Sequence, residues 1–492
     1  MWRRIENMNE TVFLVLIFLL ALAPRLIFVI AARNAGLSYD ESEYDMIARS
    51  LVAGKGFSAY YPFPMAFRPP TYPWFTTAFR PPGYPFLLAG IYGVAGHNLL
   101  VVRVLQAIVT AFVPVLTYLI GRRVFSKGAA QLGAFFVAIY VPFVFYTLAL
   151  LTENIYIPLM LLGMWLLLKS QDHQQRGYIV MAAIAFGAAI LMRPVLTFFT
   201  PLLFFWFWHA RGKLKPAVIN TAIVLGVVIV MVTPWSIRNY RVTNQFTYLD
   251  TNGGYNLYIG FHDGADGTFQ MAPVYELIEK MKQGLMESPE IQAKDVLMHN
   301  WGKEQAREFI REHPLRAILL TPLKFAHFWN LEQRLFIVGY SWNYIGPAPA
   351  PVLALLMALI MLPFALLVLL GVVGLIYAPE KNSGYWLMLL AIAYYTAIHS
   401  IIFGEARMHY PIVPLVALFA GNGIVQLALC RRAKKGLPVK EGRMAPQSKK
   451  KTWATGALMV MFIVIWAYGF HHSWPKMSQI FAPGGHQIQL EY

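Results

Sequence analysis

Runs of about 20 apolar residues recur along the chain, and this feature constrains its fold more than any other. A run of that length crosses the hydrocarbon core of a bilayer as a helix. Only 13% of the 492 residues are charged, whereas a soluble protein carries about a quarter. The sequence therefore predicts an all-α, polytopic membrane protein.

The pattern of apolar runs predicts about eleven transmembrane helices. If Met1 is cytoplasmic, every short loop on that side is basic, which is the bias that fixes orientation in membranes. The segments 33–98 and 237–350 are then extracytoplasmic loops, which we expect to contain short helices. The predicted spans are residues 11–32, 99–123, 129–148, 151–168, 178–192, 195–209, 216–236, 351–377, 384–403, 409–430 and 453–470.

The charge and the cysteine content limit the possible cellular location and binding partners of the protein. The first apolar run lacks a small-residue cleavage site, which favours a retained span in a multi-pass protein of the inner or plasma membrane. The net charge of +17 is attributed to basic cytoplasmic loops beside membrane lipids, with no nucleic acid partner. The single cysteine, Cys430, excludes an internal disulfide and a cysteine-based metal site.

Three regions follow from this layout. We predict a transmembrane domain at 1–430, a basic cytoplasmic loop at 431–452, and a last membrane helix with a short outer tail at 453–492.

The predicted orientation gathers polar residues from six separate stretches at the outer face. Ionisable groups at membrane depth are costly and usually functional. Several arginines on one face indicate a binding site for an anion. Phosphate is a ligand that guanidinium groups bind in a bidentate manner. A carboxylate beside that phosphate is better suited to accept a proton from a second substrate. The candidates are Asp40, Glu41, Arg80, Glu153, Arg193, Arg238, Asn239, His399, Glu405 and Arg407.

The acids also have structural interpretations. Ser38 and Glu41 fit the capping-box pattern S-x-x-E at a helix start, and Glu153 can stabilise the first turn of the fourth span. Asp40 and Glu41 with a histidine could instead hold a divalent metal, although their spacing is no specific metal pattern. The sequence thus specifies no cofactor and leaves a metal open.

The other candidates have structural alternatives too. Arg193 and Arg407 could reach lipid phosphates, or pair with Glu405. His399 lies on an apolar helix, where a packed and hydrogen-bonded histidine is more common than a catalytic one.

A short duplication adds a further ambiguity. The motif "AFRPPTYP" at 66–73 recurs as "AFRPPGYP" at 78–85, so either Arg68 or Arg80 is the functional copy. We favour the second copy, which contains the further site candidate Tyr84 and leads directly into the apolar segment "FLLAGIYGV".

Six motifs carry a resemblance to a known family. They are "DESEYDMIARSLVAGKGF", "FRPPGYPFLLAGIYGVAG", "LLTENIY", "LMRPV", "PWSIRNY" with "NGGYNLYIG", and "GEARMHYPIVP". In this order and on one predicted side, they resemble the bacterial GT-C glycosyltransferases that use polyprenyl-phosphate sugars. That group includes the protein O-mannosyltransferases, the lipid A aminoarabinose transferases and their RgtA/B/C/D-like relatives.

The resemblance implies a GT-C fold in which the domain at 1–430 is catalytic, with helices in the first outer loop. It implies that an acidic residue of the first outer loop is the catalytic residue, which here is Asp40, with Glu41 beside it. Arg80, Arg238 and Arg407 are the matching candidates for the lipid phosphate, and Arg193 is a further one. A departure from the family is that no large soluble segment follows the last predicted span.

The expected activity is transfer of a sugar from a polyprenyl-phosphate donor to a hydroxyl of a lipid, glycan or protein acceptor, with inversion. A nucleotide-sugar donor is disfavoured because the chain has no glycine-rich phosphate loop. The alternatives are a transporter or flippase for lipid-linked sugars, an oligosaccharide polymerase or ligase, and a non-catalytic binder of such lipids. The identity of the sugar and of the acceptor stays open.

Overall fold

Helices make up nearly all of the regular structure, as the apolar runs require. The computed structural model describes residues 8–60, 74–173, 175–277, 279, 292–293, 295–341, 348–439, 444–446 and 448–482. Its helices are α1 (Glu10–Ala31), α2 (Tyr39–Val52), α3 (Gly83–Ala95), α4 (Leu99–Val124), α5 (Lys127–Ala138), α6 (Val141–Tyr146), α7 (Glu153–His173), α8 (Arg176–Met192), α9 (Phe199–Arg211), α10 (Leu214–Thr243), α11 (Asn252–Gly260), α12 (Asp295–Glu312), α13 (Pro314–Phe328), α14 (Gln333–Ser341), α15 (Ala350–Ile376), α16 (Ser383–Ile401), α17 (Val413–Lys434) and α18 (Lys449–Ile480). Two 3₁₀ segments, Pro194–Phe198 and Ala406–Ile412, precede α9 and α17.

Among the described residues, seven helical segments are long and apolar enough to cross a membrane. They are α1, α4, α10, α15, α16, α18, and α17 together with the 3₁₀ segment before it. The prediction of a polytopic helical membrane protein is confirmed. The described residues depart from a purely α-helical chain in one short antiparallel ribbon, where β1 (Ser58–Tyr60) pairs with β2 (Trp74–Thr76).

One predicted span is broken in the structure. The segment 129–148 forms α5 and then the short α6, with Tyr140 in an extended conformation between them. Pro142 lies at the start of α6, where its fixed φ suits a first helical turn but its ring prevents a continuous helix. An apolar run alone therefore overestimated the length of this helix.

Small residues allow the central helices to approach closely. A Cβ on Gly374 of α15 would lie 1.7 Å from the carbonyl oxygen of Phe419 on α17. A Cβ on Gly421 would lie 2.3 Å from the carbonyl oxygen of Ala129 on α5. Such contacts replace the hydrophobic driving force that helices lack inside a bilayer.

The two ends of the helix bundle have different chemistry. At one end, Arg193 follows α8 and pairs with Glu153 at the start of α7, at 2.6 Å. At the other end, Arg123 of α4 pairs with Asp172 in the last turn of α7, again at 2.6 Å. The basic turns between helices gather at this second end.

The two long loops cover the first end and are joined to each other. Asp295 of the second loop accepts hydrogen bonds from the Ala78 amide, at 3.0 Å, and from the Thr251 hydroxyl, at 2.7 Å. The Thr251 amide donates to the Ala78 carbonyl at 2.9 Å. These bonds fix the segment before Arg80 against the segment that follows α10.

Candidate functional site

A cavity of about 420 Å³ lies where the bundle meets the two long loops. Its described lining includes four arginines and four acids, together with aromatic and aliphatic side chains. The arginines are Arg80, Arg193, Arg334 and Arg407, and the acids are Asp40, Glu43, Asp250 and Glu405. A lining of this kind can hold an anion beside an apolar group.

Asp40 lies in the first turn of α2, between two arginines. Arg80 Nη2 donates to Asp40 Oδ1 at 2.7 Å, and Arg407 Nη1 donates to Oδ2 at 3.0 Å. Burial alone would raise the pKa of Asp40, but the charges and hydrogen bonds of Arg80 and Arg407 lower it well below its usual range. The carboxylate is therefore ionised at neutral pH.

Arg407 connects Asp40 to a second acid, Glu153. Its Nε and Nη2 donate to the two carboxylate oxygens of Glu153 at 2.8 and 3.3 Å. Arg193 Nη1 donates to the same carboxylate at 2.6 Å. Residues from the first, third, fourth and sixth of the sequence motifs thus form one continuous ion-pair chain, because the loops and helix ends that carry them meet at one end of the bundle.

Arg80 is held on several sides. Besides Asp40 it pairs with Glu43, and its guanidinium lies 5.1 Å from the ring centres of Tyr44 and Phe79. Pro81 follows Arg80 and favours an extended backbone, which delivers the side chain toward α2. Burial raises the pKa of Glu43 well above its ordinary value, despite the nearby arginine.

Two of the expected site residues on α16 and the following loop also reach the cavity. His399 lines it and stacks on Phe328, with 5.5 Å between ring centres. Glu405 lines it and forms an ion pair with Arg334 rather than with Arg193 or Arg407.

The side chain of Glu41 has different surroundings from that of its neighbour Asp40. Its carboxylate accepts hydrogen bonds from the Ser38 amide at 3.2 Å and from the Leu150 amide at 2.8 Å. Glu41 is fully buried and is not among the described residues that line the cavity. The capping-box interpretation of Ser38 and Glu41 is the one that the structure supports.

Arg238 and Asn239 also lie outside the described cavity lining. Arg238 donates to the carbonyl oxygens of Thr77 and Phe57, at 2.7 and 3.2 Å. Asn239 donates to the Leu249 carbonyl at 3.1 Å, beside Asp250. Both side chains therefore fix segments next to cavity residues, and among the described lining it is Arg80 and Arg407, rather than Arg238, that face the cavity.

Tyr84 is fully buried and lies outside the described lining of the cavity. Its hydroxyl donates to Gln106 of α4, and its ring meets Tyr44 edge-on at 5.1 Å between centres. The other copy of the repeated motif, with Arg68, lies outside the described residues.

Three charged cavity residues were not among the sequence candidates: Glu43, Asp250 and Arg334. Glu43 could have been found, because it lies three positions after Asp40 and so on the same face of a helix. Asp250 and Arg334 follow from no motif. Burial raises the pKa of Asp250 to about 7, although the Asn252 amide at 3.1 Å opposes that shift.

The donor set does not suit a metal ion. Among the described residues, no group of three or more histidine, cysteine, aspartate or glutamate side chains is arranged to hold one. Glu41 is committed to backbone amides, and guanidinium groups occupy the carboxylates of Asp40 and Glu153. We therefore derive no step through a metal.

Comparison with known proteins agrees with this architecture. A family model described as dolichyl-phosphate-mannose-protein mannosyltransferase matches residues 79–237. The apo crystal structure of the oligosaccharyltransferase from Archaeoglobus fulgidus matches with a TM-score of 0.50 and 15% identity, over 93% of this chain and 54% of that one. The chain therefore has a fold similar to that of this oligosaccharyltransferase. The matched residues include Arg80 and Arg193, which line the cavity, and Glu153, which pairs with Arg193.

The chain spans about half the length of the archaeal enzyme. ArnT from Cupriavidus metallidurans, bound to undecaprenyl phosphate, matches with a TM-score of 0.42 and 13% identity, over 87% of this chain and 80% of that one. No curated protein sequence matches the chain.

Proposed function

We propose that this protein is an integral membrane glycosyltransferase that acts on the extracytoplasmic face. It moves a sugar from a polyprenyl-phosphate donor to a hydroxyl of a lipid, glycan or protein acceptor. The observation that carries the proposal is the bridging of Asp40 by Arg80 and Arg407 inside a 420 Å³ cavity. The lipid-phosphate donor named in the description of the matching family model supports the same donor class.

The arginines of the cavity would bind the donor phosphate. Arg80, Arg193 and Arg407 converge there, and guanidinium groups bind phosphate through paired hydrogen bonds. The departing phosphate gains charge as the glycosidic bond breaks, so these arginines stabilise the transition state more than the bound donor. Arg238 would act indirectly, by holding the Thr77 carbonyl close to the Arg80 loop.

Asp40 would accept the proton of the acceptor hydroxyl. The sugar carbon reacts through an oxocarbenium-like transition state, as in glycosidases. The acceptor oxygen forms the new bond as the phosphate leaves with the electrons of the old one, and the proton goes to Asp40. Attack from the face opposite the phosphate inverts the anomeric centre. Glu41 has no part in this step, because its carboxylate binds the Ser38 and Leu150 amides.

Donor binding would also activate Asp40. Without a donor, Arg80 and Arg407 hold the carboxylate ionised and weakly basic. A donor phosphate competes for the same guanidinium groups, which raises the pKa of Asp40 toward its ordinary value and makes it a better base. The base would thereby be released when the phosphate of a donor binds.

The test is transfer by purified protein supplied with a panel of polyprenyl-phosphate sugars, with mass spectrometry of candidate acceptors. Asp40→Asn should lose turnover and keep donor binding, while Glu41→Gln keeps turnover in the folded fraction. Transfer from a nucleotide sugar without lipid donor would refute the donor assignment. Full turnover by Asp40→Asn would refute the assignment of the base.

A further inference from the structure

A second pocket lies at the opposite end of the bundle from the cavity. Its volume is about 590 Å³, and its described lining is Arg176, Arg211, Lys215, Pro216, Ile219 and Asn220. These residues lie where α8 begins, α9 ends and α10 begins. Helix α8 has Arg176 at this end and Arg193 just past the other end, and its 17 residues span about 25 Å.

The described lining of this basic pocket carries three cations and no acid. Asp172, in the last turn of α7, pairs instead with Arg123 at 2.6 Å. Arg176 and Lys215 lie in the first turns of α8 and α10, where a positive side chain opposes the positive end of the helix dipole. Neither helix has a side chain that caps its N-terminus. No acidic side chain in the described lining therefore neutralises these positive charges.

Two buried donor atoms in the pocket point to the same conclusion. Asn220 is only 3% exposed, and its Nδ2 atom has no hydrogen-bond partner among the described residues. The buried Nε atom of Arg211 likewise has no partner in the described part of the chain. An unsatisfied buried donor is costly, so a group that accepts hydrogen bonds is expected beside each of them.

We propose that this basic pocket binds a phosphate group on the membrane face opposite the catalytic cavity. Phosphate supplies several acceptor oxygens for Arg211 and Asn220, and a charge that neutralises Arg176 and Lys215. The phosphate belongs either to an anionic phospholipid headgroup or to free phosphate in the aqueous phase. The apolar side of Ile219 and Pro216 lies beside the charges, as a bound lipid would require.

The test is native mass spectrometry of the full-length protein in detergent, titrated with phosphatidylglycerol, with phosphatidylcholine or with inorganic phosphate. Binding of phosphatidylglycerol in preference to phosphatidylcholine would identify a lipid headgroup as the source of the phosphate. Binding of inorganic phosphate alone would identify the free anion. Arg211→Gln should weaken the bound species about 5- to 10-fold, from the energy of one basic residue near an anionic headgroup. Binding of neither probe by the wild-type protein would overturn the proposal.

Two further variants separate a built site from general surface charge. Lys213→Gln removes one cation from the same turn, but Lys213 is outside the described pocket lining. The affinity of this variant for the bound probe should therefore change less than twofold. Asn220→Leu changes no charge but removes the buried donor, and should weaken binding several-fold. Equal affinities for the wild type, Arg211→Gln and Asn220→Leu would overturn the assignment.

A measurement on the wild-type protein tests the proposal even if the variants fail to fold. Phosphatidylglycerol with a diazirine in its headgroup should label peptides within 205–220 more strongly than the matching phosphatidylcholine probe. Equal labelling by the two probes would contradict an anion site at this position.

Discussion

Arg407 has two proposed roles, and a pair of substitutions separates them. Its guanidinium lies 3.0 Å from Asp40 and 2.8 Å from Glu153, so its removal from the wild type changes the base and the phosphate site together. In Asp40→Asn protein the base is already absent. Adding Arg407→Met to that variant should therefore report only the contribution of Arg407 to phosphate recognition.

The magnitude follows from the hydrogen bonds at stake. A hydrogen bond to a charged group contributes about 1.5–3 kcal/mol, which is roughly 10- to 150-fold in affinity. We expect Arg407→Met to weaken phosphate binding by that factor in the Asp40→Asn background. Asp40→Asn alone should bind at least as tightly as wild type, because it removes a negative charge that repels the phosphate and competes for Arg80.

The assay is calorimetric titration of polyprenyl phosphate into detergent-solubilised protein. This ligand lacks the sugar, so the measured affinity reports the phosphate and lipid alone. Arg307→Met is the matched control, since Arg307 is 62% exposed on α12 and outside the described cavity lining. Glu153 keeps Arg193 at 2.6 Å in every variant, which preserves a partner for the buried acid.

One result would refute the reasoning. If Arg407→Met leaves the affinity of Asp40→Asn protein for polyprenyl phosphate unchanged, Arg407 serves only to hold Asp40 and Glu153 in place. A tenfold loss in the Arg307→Met control would show that the assay reports general charge rather than the cavity.

Three further predictions test individual contacts. Glu41→Gln should lower stability by about 1–2 kcal/mol, through weaker bonds to the Ser38 and Leu150 amides, while transfer per folded molecule is kept; thermal unfolding and turnover check both. Because burial raises the pKa of Asp250 from about 4 in the unfolded chain to about 7, its contribution to stability falls as pH rises through that window. The melting temperature of Asp250→Asn relative to wild type should therefore increase from pH 4 to pH 7 and then level off; a flat difference would contradict the shift. Gly374→Ala should cost about 1–3 kcal/mol, because its Cβ would lie 1.7 Å from a carbonyl oxygen of α17; size-exclusion profiles after heating would show the loss.

Much of the fold could be predicted because the signals are local. The predicted span at 99–123 and the observed helix Leu99–Val124 nearly coincide, since Asn98 caps the helix where the apolar run begins. The break between α5 and α6 was missed because Pro142 stops a helix without interrupting the apolar run. Hydropathy reports how well side chains suit a lipid environment. It says little about whether the helix that carries them is continuous.

The site could be predicted as a set of residues but not as a geometry. Orientation placed Asp40, Arg80, Glu153 and Arg407 at one end of the bundle, and the structure brings all four together. Asp40 and Glu41 are adjacent in sequence, however, and adjacent residues on a helix project about 100° apart. Only tertiary contacts decide which of the two meets the arginines.

The chain of ion pairs has a consequence for specificity. In the described cavity, Arg80, Arg193 and Arg407 all have carboxylate partners, so a donor phosphate must replace existing contacts rather than fill an empty site. Replacement is favourable only for a ligand that offers several oxygens in the arrangement that the carboxylates now provide, which a neutral sugar or a simple lipid does not. In the proposed reaction, the same exchange would release Asp40 when the phosphate binds. Selection of the donor and activation of the base would then be one event. Replacing either of the arginines that pair with Asp40, Arg80 or Arg407, should impair both.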